Sequence, residues 1–139
     1  MAILRCYTSY MTRLQGTKLA DFDPVSKVTE LQIIDITVGT GDAAAKGTTI
    51  TAHYTGALCS DGTIFQSSHD AGKPATFGLD QVIKGWTQGV PGMKVGGVRR
   101  LVIPSVLGYG SARAASNIPP NSDLVFDIEL VDTPKKWYE

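Results

Sequence analysis

The sequence has little of what marks the larger function classes. Its two cysteines, Cys6 and Cys59, are too few for a disulfide framework and lack metal-ligand spacing. A reducing compartment, and so the cytoplasm, is the expectation that follows. No sign of charge dominates: 13 basic side chains balance 13 acidic ones. A nucleic-acid or membrane-surface protein would show a basic footprint, so neither partner is expected. No apolar run approaches the ~20 residues that span a bilayer. The start of the chain lacks the apolar segment of a secretory signal. Low complexity is missing too. The 15 glycines are spread out and read as tight turns between short strands. At 139 residues the chain is expected to form one domain with one real core.

What is present centres on residues 80–91, which read as a single short helix. Asp80 is placed to cap its start, and Pro91 to end it. Val82, Ile83, Trp86 and Val90 recur at helical spacing, while Lys84, Thr87 and Gln88 face the other way. Gly85 and Gly89 lie four apart, where a side chain would hold a neighbouring backbone at a distance. The pattern predicts a small helix pressed onto a sheet with Trp86 at the contact.

Residues 1–29 read as an N-terminal arm. Leu4, Tyr7, Met11 and Leu14 follow a 3-4-3 spacing, which Gly16 would stop. Arg5, Arg13 and Lys18 precede the first acid, Asp21. The arm is then a helix packed on the domain or pairing two chains, a loose arm, or an organelle-targeting segment over residues 1–20. Residues 21–26 read as a turn-rich linker. The main domain is placed at 30–133 and a tail at 134–139. A monomer is expected, or a dimer through the arm.

Strands are expected at 31–38, 48–58, 63–67, 75–79, 98–103 and 123–131. The first alternates with a phase slip at Ile33–Ile34, the signature of a bulge. Leu31 and Ile33 fall on one face; Ile34, Ile36 and Val38 fall on the next. In the last strand Leu124, Phe126, Ile128 and Leu130 face the core, with Asp127 and Glu129 outward. Residues 39–44 match a dinucleotide-binding glycine pattern, but Gly47 cuts off the helix that pattern needs. Several strands, many turns and one helix give class α+β, an antiparallel sheet with a helix on one face.

Six aromatics fall within the domain: Tyr54, Phe65, Phe77, Trp86, Tyr109 and Phe126. Tyr109 sits between glycines in a loop, an unusual place for a ring that only fills a core. A ring cluster with few charges describes an apolar pocket for an uncharged ligand. His53 alternates with Tyr54 and points away from it, a structural histidine. His69 falls in a polar loop, expected to be solvated.

In order along the chain stand Tyr54-Thr-Gly56, Asp61-Gly62 with Phe65 and Ser67-Ser68, Val82-Ile-Lys-Gly-Trp86, Gly92-Met93 with Val95-Gly96, Leu107-Gly-Tyr-Gly110, Ile118-Pro-Pro120 and Leu124-Val-Phe-Asp-Ile-Glu-Leu130. Together they resemble the FKBP-type peptidyl-prolyl cis-trans isomerases, the macrolide-binding family, from about Leu31 to Val131. The resemblance implies a curved antiparallel sheet of about five strands wrapped around one short helix. It implies an isomerase that assists folding; the alternative is a non-catalytic module holding Pro-containing apolar segments. It places Trp86 at the pocket floor, with Tyr54, Phe65, Val82, Ile83, Tyr109, Ile118 and Phe126 as walls, and Phe77 beside it in the core. It also makes the backbone N–H of Ile83 and the Tyr109 hydroxyl donors to substrate carbonyls. Proline-containing polypeptides and macrolide inhibitors are the implied partners. No cofactor or metal is called for, because turning an amide breaks no bond.

Two departures from the family pattern stand out. The family usually has Asp where this chain has Gln66, and commonly Arg where it has Ala71. Both members of an ion pair are absent together, which leaves no lone buried charge. Weaker macrolide binding is expected. An aromatic common at the near rim is Ala75 here, which predicts a more open pocket. The eight residues between Tyr109 and Ile118 leave no room for an inserted domain.

Overall fold

A computed structural model of the chain describes residues 14–111 and 117–133. Six strands form one antiparallel sheet: β1 (Gln32–Thr37), β2 (Thr49–Leu58), β3 (Ile64–Ser67), β4 (Ala75–Gly78), β5 (Val98–Ile103) and β6 (Leu124–Asp132). Their order is β1-β5-β6-β2-β3, with β4 also pairing β2. There are thus six strands, not about five. β3 pairs residues 55–57 of β2, and β4 pairs residues 49–52. Two short strands therefore share one edge of a long one.

Between them lies a single helical turn, α1 (Ser68–Ala71), where the sequence suggested only a polar loop. Ser67 caps it, its hydroxyl accepting from the His69 N–H. Ser68 Oγ accepts from the Tyr54 N–H at 2.8 Å and contacts His53 Nδ1 at 2.8 Å. His69 is exposed, as expected, and also stacks on His53, centroids 4.2 Å apart. Burial and then the neighbouring His53 hold its pKa below the ordinary value, against Glu129 and Asp70.

The central helix, α2 (Lys84–Gly89), is shorter than the expected 80–91. Ile83, not Asp80, is its N-cap, and no side chain caps it. Residues 79–82 form turns instead. The Thr87 hydroxyl pins that entrance by donating to Leu79 O at 2.6 Å. The two glycines do bring helix and sheet together. A Cβ on Gly85 would stand 2.6 Å from Ile103, and one on Gly89 2.7 Å from Leu101, both in β5. Arg99 of β5 closes the helix end, donating to Gly89 O at 2.7 Å, where a cation favours the exposed carbonyls. Its Nε meets Asp35 of β1 at 2.6 Å.

Alternation divides the core between the two faces of the sheet. Leu101, Ile103, Leu124, Phe126, Ile128 and Leu130 pack with Trp86 and Val90 on the helix side. Val102, Val125, Ala57, Cys59 and Ile64 pack with Leu19, Val28, Leu14 and Phe22 on the other. The stretch expected as linker therefore lies on the sheet. Arg100 holds it there, donating to Asp21 O at 2.6 Å and Ala20 O at 3.0 Å while paired with Asp127. Of the 3-4-3 stripe, only Leu14 falls within the described residues, as do no residues of the tail at 134–139.

β1 departs most from expectation. Its register irregularity lies between Asp35 and Thr37, not at Ile33–Ile34. Leu31, just before the strand, is half-buried against the helix-side core, but Ile33, Ile34, Ile36 and Val38 are all exposed. As an edge strand, β1 has a partner on one side only. No helix among the described residues is long and apolar enough to cross a membrane.

Candidate functional site

Between α2 and the sheet opens a hollow of about 490 Å³, lined by Tyr54, Gln66, Phe77, Gln81, Val82, Ile83, Trp86, Tyr109 and Phe126. Its floor is the Trp86 indole, which is almost fully buried. Phe77, Phe126 and Tyr54 meet it at 5.0, 5.4 and 5.7 Å between ring centroids, all edge to face. Such pairs are favoured by the ring quadrupoles, each by ~0.5–1.5 kcal/mol beyond burial. Gly56 makes the packing possible: a Cβ there would stand 2.6 Å from Phe126 and 2.7 Å from Phe65. Trp86, Tyr109 and Phe126, drawn from a helix, a loop and a strand, thus border one cavity.

Several residues fall elsewhere than expected. Phe65 and Ile118 do not line the hollow. Both are buried, and Phe65 backs its wall by stacking edge-on against Phe126 at 5.6 Å. Phe77, expected in the core beside the pocket, lines it, and so does Gln81, which the sequence reading missed. The signal for Phe77 was its place beside the turn that enters the helix. Gln81 lies in that turn and had no periodic signal. Ala75 is half-buried in β4 and is not part of the lining. Gln66 is exposed at the rim.

Two donors border the hollow. The Ile83 N–H opens the helix and has no acceptor among the described residues. Tyr109 follows the 3-10 turn Ser105–Leu107. Its loop is held by Gly110 N donating to Ser105 O at 2.8 Å and Asn121 N to Gly110 O at 2.7 Å. Asp123 anchors the same turn, accepting from Ser105 N at 2.9 Å and, from the arm, Val28 N at 2.8 Å. Burial raises the Tyr109 phenol above its ordinary 10.0. Burial, then the nearby Tyr109, raises Tyr54 as well. Both hydroxyls therefore keep their protons at neutral pH and can donate.

Among the described residues no carboxylate or histidine borders the hollow, and no group of three His, Cys, Asp or Glu could hold a metal ion. What the cavity offers is apolar surface and two hydrogen-bond donors. Cys59 takes no part: it is buried, and burial followed by Asp123 pushes its thiol up to about 12.

A sheet packed on a short helix over an aromatic hollow defines a class of fold and site. Residues 41–131 match the model of the FKBP-type peptidyl-prolyl cis-trans isomerases, and the chain belongs to that family of enzymes. Among curated relatives, FK506-binding protein 2 of Kluyveromyces lactis is 48% identical over 115 residues, covering 79% of this chain and 81% of its own. The FK506-binding protein of Neisseria meningitidis serogroup A is 50% identical over 103 residues, 73% of this chain and 94% of that one. Among solved structures, a peptidyl-prolyl cis-trans isomerase of Pseudomonas syringae superposes with a TM-score of 0.69 at 33% identity, covering 96% of this chain and 95% of that chain.

Proposed function

We propose that the chain assists protein folding by turning X–Pro bonds inside the aromatic hollow, and that desolvation and positioning supply the rate. Rotation about the bond faces a barrier of ~18–20 kcal/mol because amide resonance is lost in the twisted state. That state carries less charge separation than the planar amide. A dry, apolar site therefore holds it better than the ground state, which is differential binding of the transition state. In this reading the proline ring sits over Trp86, walled by Tyr54, Phe77 and Phe126. The Ile83 N–H and the Tyr109 hydroxyl hold carbonyls on either side of the rotating bond. Val82 and Gln81 border the substrate, with Gln66 at the rim. Macrolide inhibitors occupy the same hollow, weakly, because Gln66 supplies a neutral amide where a carboxylate would accept more strongly.

The observation that carries this reading is the convergence of Trp86, Tyr109 and Phe126 on one cavity. A proline-tetrapeptide isomerisation assay tests it. Phe126→Ala opens the wall to water and is expected to lower kcat/KM by more than tenfold. Tyr109→Phe removes one hydrogen bond worth ~0.5–1.5 kcal/mol, a loss of up to about tenfold. Wild-type rates in both variants would refute the assignment.

A further inference from the structure

A second cavity of about 360 Å³ lies beside the first, lined by Gln15, Gly16, Thr63, Ile64, Phe65 and Asn117. Its volume falls within the ~300–1,000 Å³ range of ligand sites. We propose that it is a subsite for an uncharged, extended stretch of the substrate polypeptide next to its proline. The proposal rests on the isomerase reading of the first hollow.

The two cavities share a wall. Ile64 and Phe65 line the second, and Gln66, the next residue of β3, lines the first. The Phe65 ring stacks on Phe126, which borders the first. Asn117 stiffens the divide by donating from Nδ2 to Phe65 O at 3.0 Å. An extended chain advances ~3.3 Å per residue, and β3 passes from the Ile64 and Phe65 lining of one cavity to the Gln66 lining of the other in a single residue.

The far wall is the N-terminal arm, and it is held in place. Gly16 N donates to Ile64 O at 2.8 Å, and Ile64 N to Thr17 O at 2.7 Å. The Asp70 carboxylate in α1 accepts from Leu14 N at 2.7 Å and Gln15 N at 3.0 Å. The arm thus builds a binding wall against β3 as well as covering the sheet.

The lining sets the class of occupant. None of its six residues is titratable; two carboxamides, one hydroxyl and backbone groups stand beside Ile64 and Phe65. Peptide backbone and uncharged side chains suit that mixture. A charged side chain would lose water there, and the charges that touch the described lining are already engaged: Lys18 donates to the Thr63 hydroxyl at 2.9 Å and pairs with Asp61, and Asp70 accepts from the Gln15 N–H.

The test compares an Ala-Ala-Pro-Phe tetrapeptide with versions extended by three uncharged residues on the N- or the C-side. Extension on one side is expected to raise kcat/KM about tenfold. Gln15→Trp and Thr63→Trp, which fill the cavity from two different segments, should erase that gain and leave the tetrapeptide rate unchanged. Asp in the added positions should erase it in the wild type without any protein variant. No gain on either side, or a gain that survives both variants and the Asp peptides, overturns the proposal. Should the tetrapeptide itself not be turned over, the isomerase reading fails. Calorimetric Kd values for the short and extended peptides then still decide the subsite by the same ratios.

Discussion

At the scale of single residues, Gln66 decides what the pocket rim offers a ligand. It stands exposed at the rim as a neutral amide. Gln66→Asp is expected to tighten macrolide binding about tenfold while leaving tetrapeptide turnover within twofold, since a charged acceptor strengthens a hydrogen bond by ~1 kcal/mol or more. Titration by calorimetry reads the change; equal affinity for both proteins would show that the position does not set it. The residue roles were legible very unevenly. Helical and strand periodicity put Trp86 and Phe126 on apolar faces, while the family resemblance put them in the pocket. Phe77 had only its place beside the turn that enters the helix, and the resemblance put it in the core beside the pocket that it lines. Gln81 gave no signal, since a turn residue borders a cavity only through how the chain bends around it.

At the scale of elements, the pocket floor depends on how closely α2 sits against β5. Gly85→Ala would place a methyl 2.6–2.8 Å from three side-chain atoms of Ile103. Overpacking of that kind costs ~1–3 kcal/mol, against at most ~1 kcal/mol gained from Ala as a helix former. Net destabilisation of ~1–2 kcal/mol is expected in urea unfolding, with a shift of Trp86 that lowers activity as well. A stabilised Gly85→Ala protein would mean that the contact is slack. The paired glycines announced this packing in the sequence. The helix boundaries were less legible, because Asp80 looked like a cap while Thr87 holds the preceding turn from inside the helix. β1 was misread for another reason. Its phase slip suggested a bulge at Ile33–Ile34, yet the register irregularity against β5 lies at Asp35–Thr37, and alternation did not tell that both faces stand exposed at the sheet edge.

At the scale of the whole molecule, the sheet is covered on both faces, by α2 on one and by residues 14–28 on the other. Val102 and Val125, apolar on what seemed the outer face, were the clue that something lies there. Arg100→Ala removes two bonds to the arm backbone and leaves Asp127 without its partner. Faster amide hydrogen exchange at Leu19 and Val25 is expected, with tetrapeptide turnover retained; unchanged exchange would show that Arg100 does not hold the arm. In the proposed mechanism the hollow turns the proline bond by caging it, and no proton moves in the step. The most direct measurement is kcat/KM for a proline peptide in H2O and D2O across pH 6.5–9. With Tyr109 and Tyr54 held protonated above their ordinary 10.0, the rate should be level over that range and equal in the two solvents. A slowing of about twofold or more in D2O, or a bell-shaped pH profile, would mean that proton transfer drives the reaction and that the caging account is wrong.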